Sequence, residues 1–84
     1  MAKQFIGYSI GLEATSESSS SWQMVKVAVT RVSANKLKLS AVSGRTLASM
    51  PGTAFLSQDE YENMPAMNGT EFAVKALSLC GWTV

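Results

Sequence analysis

The chain is 84 residues long, which by length makes 1-84 a single domain with a small core. It is 46% hydrophobic and only 15% charged, and its net charge of +1 disfavours nucleic acid or an anionic membrane as a long-range partner. The chain has no histidine, which removes the usual general base and the commonest metal ligand, so we expect no enzyme, no metal and no cofactor. One cysteine and no long apolar segment predict a cytoplasmic protein without a disulfide framework, signal peptide or membrane span.

The first predicted element is a strand over residues 3–14, in which side chains alternate between two faces. Phe5 lies on the more polar face together with Gly7 and Gly11, and glycines inside a strand indicate a bulge or a close neighbour. The apolar face carries Ile6, Tyr8, Ile10 and Leu12. The Ser-rich segment 15–21 that follows is predicted to be a flexible loop.

Two segments, 22–32 and 36–42, are rich in valine and leucine and predict a β-hairpin. If Val32 opposes Lys36, all the large aliphatic side chains fall on one face and the lysines on the other, so the register is well specified. The apolar set is Val25, Val27, Val29, Leu37, Leu39 and Ala41. The predicted connection is a three-residue loop that ends with Asn35 in the left-handed conformation.

Turn signals and a short helix follow the hairpin. Pro51-Gly52 is typical of a type II turn, and a short strand is predicted over 54–56. Ser57 and Glu60 form a capping-box pattern, which predicts a helix of under two turns near 58-64.

The last segment, 70-84, fits two structures. As a helix it would be capped by Thr70 and ended by Gly81, and its alanine, leucine, glutamate and lysine content favours this interpretation. As a strand it alternates from Phe72 to Val84. The predicted fold class is therefore α+β: an antiparallel sheet of three or four strands, with the short helix and a C-terminal helix packed on one face. A small β-barrel is the alternative.

The leading functional hypothesis is a small non-catalytic protein-binding module. Domains of this size without histidine are common among virus- and mobile-element-encoded accessory proteins that inhibit or adapt a larger complex. Exposed aromatic and methionine side chains are typical of interface cores, and an acidic helix could face a basic partner. The candidate partner-binding residues are Phe5, Trp22, Met24, Asp59, Glu60 and Glu62. The partner could also be a second copy, because large apolar groups on the polar side of the sheet need cover.

Two alternative hypotheses use other residues. Glycine-bearing turns can aim backbone amides at an anion, so Gly44, Arg45 and Thr46 could bind a nucleotide-like ligand. Lysines beside an aromatic side chain on a β-ribbon could instead bind single-stranded nucleic acid. The residues for that role are Trp22, Lys26, Lys36 and Lys38.

Overall fold

The structure is a computed structural model that describes residues 3–17 and 19–84. It has the predicted α+β class, with a five-stranded antiparallel sheet in place of three or four strands and with both predicted helices. The strands are β1 (Gln4–Tyr8), β2 (Leu12–Ser16), β3 (Ser19–Ser33), β4 (Lys36–Ser43) and β5 (Ser49–Ser57), and the helices are α1 (Gln58–Glu62) and α2 (Thr70–Leu79). Strands β2 and β3 reach into the Ser-rich segment, where Ser16 pairs with Ser19.

The edge of the sheet predicted as one strand over 3–14 consists of two strands. Both β1 and β2 pair with β3, and they are separated at Ser9, whose side chain is only 2% exposed. The Ser9 amide donates to the Val27 carbonyl, and Ser9 Oγ accepts the Val27 amide at 2.9 Å. A hydroxyl thus replaces a main-chain acceptor where the edge breaks, which keeps the amide of a fully buried β3 residue satisfied.

The central hairpin has the predicted register. Val29 pairs with Leu39 and Val27 with Ala41, so the large aliphatic side chains share one face. The connection differs from the prediction: the register shifts between Arg31 and Ser33, leaving a two-residue turn at 34–35. Asn35 does not adopt the left-handed conformation. Among the described non-glycine residues, Leu47 alone has a positive φ.

Strand β5 runs through the predicted Pro51-Gly52 turn. The turn expectation was wrong because the C-terminal residues hold this segment extended: Trp82 Nε1 donates to the Pro51 carbonyl at 2.8 Å. Gly52 has a φ of +116°, and a Cβ atom there would collide with the Cys80 carbonyl oxygen. The left-handed requirement is therefore real, but it serves a close approach inside a strand.

The core lies between one face of the sheet and the helices. We call this the inner face; it carries Val25, Val27, Val29, Leu37 and Leu39, all 0% exposed. Helix α2 packs Phe72 and Leu77 against it. The predicted capping box of α1 is present, whereas the N-cap of α2 is Gly69 and not Thr70. Among residues 3–17 and 19–84, no helix is long and apolar enough to cross a membrane.

Candidate contact surface on the outer face of the sheet

The opposite side of the sheet, which we call the outer face, carries the side chains that alternate with the buried valines. Both helices contribute to the core on the inner face, and no element of the described chain packs over the outer one. Five large apolar side chains on it remain between 39% and 57% exposed. They are Phe5, Tyr8, Trp22, Met24 and Phe55. Several large apolar side chains exposed on one face indicate a contact surface more strongly than a single exposed leucine does.

One row across the sheet begins and ends with a phenylalanine. Phe5 pairs with Thr30, Thr30 with Lys38, and Lys38 with Phe55. The two rings are 53% and 52% exposed. Three strand spacings separate them, roughly 14 Å at about 4.8 Å each. The row therefore presents two aromatic platforms with a lysine between them.

Tyr8 also belongs to the outer face, although strict alternation predicts that it shares a face with Ile6. A bulge between Phe5 and Gly7 inserts Ile6 into the pairing with β3, so Gly7 opposes Val29 and Tyr8 opposes Ala28. The strict alternation that placed Tyr8 with Ile6 is broken there, and the two rings Phe5 and Tyr8 stand 4.9 Å apart. The glycine in the strand was the one sequence signal for this bulge.

Lysines surround the aromatic row. Lys36 Nζ lies 4.5 Å from the centre of the Phe55 ring, a cation–π contact that joins the two kinds of side chain. Lys26 opposes Val42 on the same face, two rows away from the row of Thr30 and Lys38. The predicted residues Lys26, Lys36 and Lys38 thus share the outer face, with Lys36 and Lys38 beside Phe55 and Lys26 further along the sheet.

Opposite charges are separated between the two layers of the molecule. Four of the six acidic residues lie in the helices, and all four are exposed. These are Asp59, Glu60, Glu62 and Glu71. Among the paired positions of the described strands, the outer face carries one acidic side chain, Glu13, which lies opposite Met24. The net charge of +1 therefore conceals a basic sheet face and an acidic helical layer.

The predicted partner-binding set is divided by this arrangement. Phe5, Trp22 and Met24 lie on the outer face, whereas the acidic residues lie on α1. There the Glu60 carboxylate accepts the Ser57 amide at 3.0 Å, and this bond, together with the Ser57 side chain, lowers the pKa of Glu60 below its usual value. The cluster is therefore part of a helix cap, which accounts for its acidic composition.

The turn proposed for anion binding is occupied by its own hydrogen bonds. The amides of Arg45 and Thr46 donate to Ser43 Oγ at 3.2 and 3.3 Å. Gly44 packs instead against Met24, since a Cβ atom at Gly44 would overlap that side chain. Arg45 lines a shallow depression beside Trp22 and Met24, at the end of the outer face away from the phenylalanine row.

The described residues show neither a cluster of metal ligands nor an activated thiol. Within the described residues, no group of three Cys, Asp or Glu side chains converges as a metal site would require. Burial raises the pKa of the Cys80 thiol to about 11, so it stays protonated and weakly nucleophilic at neutral pH. Comparisons with protein-family models, curated proteins and solved structures found no match for this chain.

Proposed function

We propose that the outer face of the sheet binds single-stranded nucleic acid by stacking bases on its aromatic side chains. The observation that carries the proposal is the row in which Phe5 and Phe55, each about half exposed, flank Lys38 on an uncovered sheet. Aromatic platforms stack bases of any sequence, and lysines between them neutralise the phosphates that run along the strand. The row supplies two aromatic platforms and Lys38, and Lys36 lies beside Phe55.

Charge separation supports the proposal in spite of the low net charge. A single strand responds to the charges near it, because at physiological salt fields are screened beyond about 8 Å. The outer face offers Lys26, Lys36 and Lys38, whereas most carboxylates lie in the helical layer. This arrangement orients the protein with its sheet toward the polyanion.

The primary experiment is a fluorescence-anisotropy titration of a labelled oligothymidylate and a labelled oligouridylate, each of about 12 nucleotides. We expect binding at low salt that weakens as salt rises, with a slope of log affinity against log salt near −2 if about three phosphates are contacted. A matched duplex should bind more weakly, because its bases cannot stack on the phenylalanines.

Paired variants locate the site. Phe5→Ala and Phe55→Ala should each weaken binding by about 5- to 150-fold, the loss of roughly 1–3 kcal/mol of stacking. Val74→Ala is the matched control, since Val74 is 41% exposed but lies on α2. Lys38→Gln should flatten the salt slope, and Lys75→Gln on α2 should not. Absence of binding at low salt, or equal losses in the sheet and helix variants, would refute the proposal.

A second candidate, the protein-binding module, is favoured by the other end of the outer face. Trp22 is 57% and Met24 39% exposed, and Arg45 lies beside them. Tryptophan, methionine and arginine are among the residue types enriched in interface cores. If oligonucleotides do not bind, a photo-crosslinking side chain at Trp22 should capture a defined protein in cells, and the same group at Val74 should not.

A further inference from the structure

Beside the phenylalanine row lies a row of hydroxyl-bearing side chains, which we call the hydroxyl row. Tyr8 pairs with Ala28, Ala28 with Ser40, and Ser40 with Thr53, so three of its four side chains end in a hydroxyl. On β3, β4 and β5 this row is two residues from the phenylalanine row, roughly 7 Å at about 3.3 Å per residue. Tyr8 and Thr53 are exposed and Ser40 is half-buried, so all three hydroxyls belong to the open outer face.

The hydroxyls of this row do not hold the fold together. Elsewhere in the chain serine hydroxyls bond to the backbone, as Ser9 does where the edge breaks and Ser57 does at the start of α1. Within residues 3–17 and 19–84, the hydroxyls of Tyr8, Ser40 and Thr53 have no hydrogen-bond partner. A hydroxyl can both donate and accept a hydrogen bond, so the row offers a ligand bonds that the protein itself does not use.

Three successive rows of the outer face follow the order of the groups in a nucleotide. The phenylalanine row is aromatic, the hydroxyl row is polar and uncharged, and the row after it contains Lys26. A nucleotide likewise places its base, its sugar and its phosphate in sequence. The paired positions of these three rows carry no carboxylate that would repel phosphate. A strand that stacks bases on the phenylalanines can therefore lay its sugars over the hydroxyl row and direct phosphates toward Lys26.

We propose that the outer face selects RNA over DNA, through hydrogen bonds between the hydroxyl row and ribose 2′-hydroxyl groups. This selection rests on the stacking function proposed above and names the class of nucleic acid that the same site takes. The 2′-hydroxyl donates and accepts, and it is the group by which a protein distinguishes RNA from DNA. Deoxyribose has a hydrogen atom in its place, so DNA keeps the stacking on the phenylalanines but leaves Tyr8, Ser40 and Thr53 without a ligand partner.

The test compares two ligands that carry the same base and differ in the sugar alone. Fluorescence anisotropy at low salt measures the affinity for oligouridylate and for oligodeoxyuridylate, each of about 12 nucleotides. We expect oligouridylate to bind more tightly by about 2- to 10-fold for each 2′-hydroxyl that is hydrogen-bonded to the protein. The measured quantity is the ratio of the two affinities, which cancels the contribution of stacking and of the phosphates.

Two variants remove a hydroxyl while keeping the shape of the side chain and the fold. Tyr8→Phe and Thr53→Val should each weaken oligouridylate binding by about 2- to 10-fold and leave oligodeoxyuridylate binding unchanged, so the affinity ratio falls. Ser78→Ala, at an exposed serine of α2, is the matched control and should change neither affinity. Phe5→Ala should weaken both by the same factor, because stacking does not depend on the sugar.

The possible results separate the selection of RNA from the stacking function. Equal affinity for oligouridylate and oligodeoxyuridylate would overturn the selection and leave the stacking site in place. A preference for RNA that persists undiminished in both Tyr8→Phe and Thr53→Val would also overturn it, because the hydroxyl row would then not be its source. Absence of binding to either oligonucleotide would exclude the stacking site, and the selection of RNA with it.

Discussion

The two faces of the sheet are made by alternate residues of the same strands, yet they have opposite physical roles. On β3, Val25, Val27 and Val29 are 0% exposed, whereas Trp22 and Met24 are 57% and 39% exposed. The inner side is aliphatic and closed by helices, while the outer side is aromatic, basic and open. The stability of the fold thus depends on one face, which leaves the other free to contact a partner.

The largest effect is expected from a comparison of one phenylalanine substitution in the core with one on the outer face. Phe72→Ala, in the core against the inner face, should lower the free energy of unfolding by about 3–5 kcal/mol through lost burial and a cavity. Phe55→Ala, on the outer face, should change it by less than about 1 kcal/mol. Urea denaturation followed by circular dichroism measures both. Similar losses would mean that the outer face is part of the core.

The next largest effect is expected where the C-terminal residues pack against strand β5. Gly52→Ala and Gly81→Ala both place alanine at positive φ, which costs about 1–3 kcal/mol. At Gly52 the new methyl group also meets the Cys80 carbonyl, whereas at Gly81 it enters open space. We therefore expect Gly52→Ala to be the more destabilising by at least about 1 kcal/mol. Equal melting temperatures for the two variants would show that the backbone around Cys80 shifts to accommodate the new methyl group.

A smaller effect is expected at the break in the edge strand. Ser9→Ala removes the acceptor of the Val27 amide, which should cost about 1–3 kcal/mol because that amide is buried. Ser49→Ala, at an exposed position of β5, is the control and should stay within about 0.5 kcal/mol of wild type. If thermal unfolding gives the same midpoint for both, water has replaced the Ser9 hydroxyl.

The contrast between the faces also explains what could be predicted from the sequence. Valine alternation in β3 and leucine alternation in β4 give a register that any one-residue slip would ruin, so the inner face was predictable. Tyr8 was misplaced because a bulge reverses the alternation after Ile6. Phe55 was not selected because the predicted strand 54–56 is too short to fix which face each residue takes, and its pairing with β4 sets that face. Pro51-Gly52 has the local chemistry of a turn, and tertiary contact with Trp82 makes it part of the strand. Local patterns predict regular pairing and fail where distant residues decide it.

The smallest effect concerns the acidic layer, and it depends on pH. The Ser57 amide and hydroxyl lower the pKa of Glu60 in the folded protein, so its carboxylate contributes stability above the ordinary glutamate pKa. That contribution should be lost as the pH falls through the lowered folded-state pKa. Glu60→Gln keeps an acceptor for the Ser57 amide but cannot titrate. Wild type should therefore have the higher urea midpoint near pH 7, and the difference should shrink toward about pH 3. A difference that does not change with pH would mean that the cap stabilises the fold through hydrogen bonding alone. The charge of Glu60 would then contribute nothing to the free energy of unfolding.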